Sequence, residues 1–118
     1  MKTETIFFNN IKMEHTTDAD GDQFWRLNNK LHNEDGPAFI GANGDQAWYI
    51  NGSLHRDNGP AVISANGDQC WYINGERYRD DGPAVIYTDG YQCWYINGEP
   101  MSIILEKDRA SFDGVLNI

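Results

Sequence analysis

Residues 67–86 read GDQCWYINGERYRDDGPAVI. The stretch occurs three times at full length and a fourth time in part, and its spacing never slips. Trp25, Trp48, Trp71 and Trp94 stand 23 residues apart, as do Gly36, Gly59 and Gly82, and as do Gly21, Gly44, Gly67 and Gly90. A fixed period of roughly 20–50 residues marks an array in which one unit cannot bury its apolar face alone.

Two glycine turns bracket each Trp segment. Asp20-Gly21, Asn43-Gly44, Asn66-Gly67 and Asp89-Gly90 precede it; Asn28-Asn29, Asn51-Gly52, Asn74-Gly75 and Asn97-Gly98 follow it. Such pairs supply the positive φ that tight hairpin loops demand. A third break falls at Gly36-Pro37, Gly59-Pro60 and Gly82-Pro83. Proline cannot donate to a ladder, so it should open the short strands Ala61-Val62-Ile63 and Ala84-Val85-Ile86. In the second and third units no run of ten residues is free of Gly and Pro, which nearly excludes helix there.

Alternation places Gln69, Trp71 and Ile73 on one face of the Trp strand and Cys70 and Tyr72 on the other. A buried Trp removes roughly 150–250 Å² from water, so the Trp ladder is expected to dominate the core. Outward from the array, residues 1–17 read as an N-terminal cap hairpin turning at Asn9-Asn10, and residues 18–98 as four repeats, the last partial. Residues 99–118 are expected to form a C-terminal cap, either a short helix begun by Ser102 or a last strand. The whole, 1–118, is expected to be a single all-β domain, an elongated array of stacked antiparallel β-hairpins.

The pattern GDQxWYINGxxHRxxGPAxI resembles the MORN repeat family in its DG start, its mid-strand Trp, its NG turn, the His that follows and the next Gly. The likeness covers residues 20–98, about two thirds of the 118 residues. It departs at His32-Asn33 and His55-Arg56, where the family has HG, and in GPA for the family's GxG. It is similar to a WYxNG…GPA variant met in bacteriophage, bacterial and giant-virus proteins. The resemblance implies an elongated, twisted sheet of hairpins, in a family of scaffolds, dimerisation surfaces and lipid-contacting modules.

With 118 residues the chain can bury a core, and 13% aromatic content is too much for a disordered one. No apolar run is long enough to span a membrane, and the start has no signal-peptide pattern, so a cytoplasmic protein is expected. Eighteen Asp and Glu against nine Lys and Arg give a net charge of −9, which repels nucleic acid and anionic lipid and suits a basic partner.

Candidate chemistry is sparse. His32 and His55 are equivalent, with Tyr78 in their place one unit on. A residue set by a repeat is read as structural, since catalysis needs unlike groups converging on one point. Cys70 and Cys93 are expected two strand spacings apart, roughly 9–10 Å, beyond disulfide reach. No nucleophile, zinc or phosphate-loop motif occurs, so neither an enzyme nor a cofactor is expected. Two sets of residues stand out as binding candidates. One is acidic: Asp22, Asp45 and Asp68 after the first turn, with Asp35, Asp57, Asp80 and Asp81 near the Gly-Pro turn. The other is the aromatic row Tyr49, Tyr72 and Tyr95, which could stack sugars or anchor a protein.

The expected function is a non-catalytic protein-binding module meeting a partner with a basic surface. The resemblance sharpens this to a phage-encoded inhibitor of a host nucleic-acid-handling protein, a DNA mimic of the anti-CRISPR kind. Binding of carbohydrate or cell envelope through the tyrosines is one alternative. An oligomerising scaffold is the other, the chain being a monomer or a homodimer joined through sheet edges. Reversing Asp45 and Asp68 to Lys is expected to leave the fold untouched, because exposed charges contribute little to stability.

Overall fold

The computed structural model describes residues 1–96 and 98–100 and contains only strands and turns there. The chain opens with a long hairpin, β1 (Lys2–Phe8) and β2 (Ile11–Thr17), followed by β3 (Gln23–Leu27) and β4 (Lys30–Leu31). The second unit holds β5 (Phe39–Ile40), β6 (Gln46–Ala47), β7 (Tyr49–Ile50) and β8 (Ser53–Leu54). The third holds β9 (Val62–Ile63), β10 (Gln69–Cys70), β11 (Tyr72–Ile73) and β12 (Glu76–Arg77). β13 (Val85–Ile86), β14 (Gln92–Cys93), β15 (Tyr95–Ile96) and β16 (Glu99–Pro100) complete the order. The main sheet runs β1-β2-β3-β5-β6-β9-β10-β13-β14, all antiparallel, so each 23-residue unit adds two strands. The molecule measures 55 × 28 × 20 Å.

The turns follow from their residues. Asn51 and Gly52 have φ of 50° and 85°, Asn74 and Gly75 of 50° and 84°, and the pairs at 9–10 and 28–29 repeat the pattern. Both central residues lie in the left-handed region, the type I′ geometry whose twist matches that of the strands it joins. The other turn is wider: Gly44 N–H donates to Gly41 O (2.9 Å) and Gly41 N–H to Asp45 O (2.8 Å), with Gly44 at φ 103°. Asn has the least penalty of any side chain at such φ and glycine has none, hence the composition.

Tryptophan divides the later units, whereas in the first β3 runs through Trp25 as the continuous strand expected. Where one continuous Trp strand was expected, β6 ends before Trp48 and β7 begins after it, and β10 and β11 flank Trp71 in the same way. Trp48 N–H donates to Ala61 O of the main sheet (2.7 Å), while Trp48 O accepts from His55 N–H of the hairpin (3.0 Å). Trp25 and Trp71 do the same with Ala38 and His32 and with Ala84 and Tyr78. The Trp backbone is thus the pivot between the main sheet and a second lane of small hairpins, β7-β8, β11-β12 and β15-β16. That lane is continuous too, because Gly52 and Gly75 N–H donate to Leu31 O and Leu54 O of the preceding units, both at 2.8 Å.

The core lies on the opposite face from the one expected. Ala38, Ala61 and Ala84 are fully buried, as is Cys93, and Val85 (4%) and Tyr95 (8%) join them. Trp25, Trp48 and Trp71 are only half-buried and Trp94 is 37% exposed. The reason is steric. Neighbouring strands meet at the Ala of each GPA triplet, through Ala38, Ala61 and Ala84 N–H to Ala47, Cys70 and Cys93 O, and a small side chain lets them close together, as where Ala84 packs with Cys93 and Tyr95. Of the expected C-terminal cap, Glu99–Pro100 forms the second strand of the fourth hairpin. The helix-or-strand alternative begun at Ser102 falls outside the described residues.

Candidate functional site

The half-buried Trp face carries a row of clefts. The first holds Trp25 with Ile11, Met13 and Leu27; the second Trp48 with Ile50; the third Trp71 with Ile73, Pro60 and Tyr78. Their volumes are 580, 600 and 560 Å³. Consecutive clefts share a wall: Asn33, Glu34 and Asp35 stand between the first and second, and Arg56, Asp57 and Asn58 between the second and third. The result is a continuous grooved face with one Trp per groove and one Gly-Pro loop per ridge.

Each ridge is built by the same device. The side chain three residues before the Gly-Pro glycine donates to the proline carbonyl: Asn33 Nδ2 to Pro37 O (3.0 Å), Arg56 and Arg79 through NH1 to Pro60 O and Pro83 O (both 3.1 Å). The guanidiniums of Arg56 and Arg79 thereby lie 3.9 and 4.0 Å above the rings of Trp48 and Trp71, a cation–π stack. A Cβ on Gly59 would come within 3.0 Å of Arg56 Cζ and one on Gly82 within 2.8 Å of Arg79 Cζ, so the glycine leaves room for the guanidinium. Asn33 cannot cover Trp25, and His15 of β2 does so instead, its ring stacked at 4.3 Å and 10°.

The acidic candidates fall into two groups at opposite ends of the main-sheet strands. Asp35, Asp57, Asp80 and Asp81 are exposed on the ridges, where Asp81 meets Arg79 Nε (2.9 Å). Asp22, Asp45 and Asp68 sit half-buried in the wide turns, and each takes a backbone proton from the next unit. Ala42 N–H donates to Asp22 Oδ1 (2.8 Å), Ala65 N–H to Asp45 Oδ1 (2.7 Å) and Thr88 N–H to Asp68 Oδ1 (3.0 Å). These three carboxylates join unit to unit. The expectation that charge reversal there leaves the fold untouched therefore gives way, since a charge-assisted bond between units is lost.

The histidines join units at the other lane. Asn51 N–H donates to His32 Nδ1 (2.9 Å) and Asn74 N–H to His55 Nδ1 (3.0 Å). With Nδ1 accepting, the proton lies on Nε2, which in His55 donates to Asp57 Oδ1 (2.8 Å).

Tyr49 and Tyr72 are half-buried and Tyr95 is in the core, so the tyrosine row is no open platform. Arg77, standing where Leu31 and Leu54 stand in earlier units, donates to Tyr72 Oη (3.3 Å) and Tyr95 Oη (2.9 Å). Burial works against its charge, but the Tyr72 hydrogen bond, the nearby Cys70 and Tyr72 groups and the Tyr95 hydrogen bond together outweigh it and hold the guanidinium above its ordinary range. Burial pushes the thiols of Cys70 and Cys93 up; both are free, with Val85 between them in the ladder. Sequence reasoning missed Arg56 and Arg79 as groove builders, although their place three residues before each Gly-Pro was visible in the repeat.

Asp18, Asp20 and Asp22 bring carboxylate oxygens within 4.8 Å of one another, but Asp18 Oδ1 already accepts from Asp20 and Asp22 N–H. No helix among the described residues is long and apolar enough to cross a membrane. Compared with protein-family models, curated proteins and solved structures, the chain matches none of them.

Proposed function

We propose that the chain is a non-catalytic protein-binding module whose grooved Trp face receives a partner with a basic surface. The observation that carries this reading is the coincidence of clefts and charge. Half-buried tryptophans, the residue type most often at binding hot spots, floor the grooves, while exposed carboxylates of Glu34, Asp35, Asp57, Asp80 and Asp81 line the ridges. Aromatic floors supply contact area and acidic ridges supply steering, the division of labour expected of an anchored interface. His55, hydrogen-bonded at both ring nitrogens, supports a structural role for the repeated histidine.

The narrower form of the reading keeps the resemblance to MORN-like phage proteins. The module then acts in the host cytoplasm and occupies the basic channel of a nucleic-acid-handling protein, of the CRISPR-effector kind among others. A net charge of −9 on 118 residues supports it. A second reading, an edge-joined scaffold, has one observation in its favour: β1 ends the sheet with Ile6 60% and Phe7 68% exposed. Phe7→Lys would abolish a dimer of that kind, as read by light scattering.

The test is capture from host lysate on immobilised protein at low and high salt, with Asp57→Lys/Asp80→Lys as control. A basic host protein retained at low salt by the parent and lost with the variant supports the groove reading. Equal retention by both removes it.

A further inference from the structure

Resting on the protein-binding reading, we infer that the grooved face takes an extended, polyproline-like segment of its partner, with a Lys or Arg at every third residue.

The step of the grooves decides the shape of the occupant. Each unit adds two strands, and strands lie about 4.7–4.9 Å apart, so like points on successive grooves are separated by roughly 9.4–9.8 Å. A polyproline II helix advances about 3.1 Å per residue with three residues per turn, close to 9.3 Å for each return to the same face. An α-helix rising about 1.5 Å per residue needs six residues for that distance, and six residues at about 3.6 per turn end on another face. A β-strand covers it in three, but its side chains alternate with a period of about two, so every third residue points the opposite way. Of the regular conformations only polyproline II presents equivalent residues at the spacing of the grooves.

The chemistry of the grooves agrees. Their floors are mixed: Ile50, and Ile73 with Pro60 and Tyr78, lie beside indoles of Trp48 and Trp71 that each carry a stacked guanidinium, so apolar patches for proline rings alternate with polar groups. The guanidiniums of Arg56 and Arg79 are turned down onto the indoles and held by the proline carbonyls, which leaves the carboxylates outermost. The side chains of Glu34 and Asp57 are each 78% exposed and that of Asp81 79%. One ridge per groove then offers carboxylates to one cationic side chain per turn of the segment.

The experiment titrates the protein with three synthetic peptides of equal length and lysine count, read by calorimetry and by tryptophan emission. One is three Lys-Pro-Pro triplets; the others place lysine at every second and at every fourth position between prolines. The triplet peptide is expected to bind at least tenfold more tightly than either, and Asp57→Asn/Asp80→Asn to weaken it about tenfold with unchanged far-ultraviolet circular dichroism. Equal affinity for all three peptides overturns the spacing inference while leaving attraction to a basic partner intact. Binding of none overturns the inference too. Salt-sensitive retention of a basic host protein, tested separately, decides whether the wider reading falls with it.

Discussion

Asp45 and Asp57 carry the same charge in the same unit and do different work. Asp45 Oδ1 accepts the Ala65 amide of the next unit, whereas Asp57, among the described residues, meets its neighbour His55 at the surface. Charge-assisted hydrogen bonds contribute about 1.5–3 kcal/mol and exposed ion pairs about 0–1 kcal/mol. Asp45→Ala is therefore expected to lower stability by about 2 kcal/mol in urea melts and Asp57→Ala by under about 0.5 kcal/mol. Equal losses would show that Asp45 does not join the units. The thiols give a pH dependence. Burial raises Cys70 and Cys93 above the ordinary value of 9.0, and Tyr87 and Tyr95 likewise rise above theirs. A raised acid keeps its proton when folded after the unfolded chain has lost it, so stability is whole below about pH 9 and falls as pH rises past it. Denaturant midpoints at pH 7 and pH 10 check this, the higher pH giving the lower midpoint. The recurrence of these aspartates was legible in the sequence, but their partners were not, because a bond from residue 45 to residue 65 exists only once the units stack.

At the scale of the element, parity and turn type were legible and the inward face was not. Asn-Gly pairs announced the type I′ turns, and alternation separated Gln46-Trp48-Ile50 from Ala47-Tyr49 correctly as sets. Both sets carry an aromatic residue, so neither hydrophobicity nor period distinguishes core from surface. The discriminating residues are Ala38, Ala61 and Ala84, whose size matters only when two neighbouring units press on them. Tyr95→Ala is accordingly expected to cost roughly 3–5 kcal/mol, the range for a core aromatic, and Trp94→Ala clearly less. Ala61→Leu should cost about 1–3 kcal/mol by overpacking. A larger loss at Trp94 than at Tyr95 would return the core to the Trp face.

Beyond the N-terminal hairpin and β3, the described residues form two lanes of short strands pivoting at the tryptophans, long in the direction in which units are added. Its length and its single repeat were plain from the 23-residue step. The grooves were not, since they arise where Arg56 and Arg79 fold over the indoles and raise the Gly-Pro loops into ridges. Function at this scale reduces to which face meets the partner. Nuclear magnetic resonance of isotopically labelled protein, titrated with the Lys-Pro-Pro peptide, answers that directly. The indole N–H signals of Trp48 and Trp71 and the amides of residues 56–59 and 79–82 should move together with one saturation curve, while the amides of Ala42, Ala65 and Thr88 stay in place. Shifts centred on those wide-turn amides, or on the tyrosine side, with the two indoles unmoved, would contradict a binding face built on the tryptophan grooves.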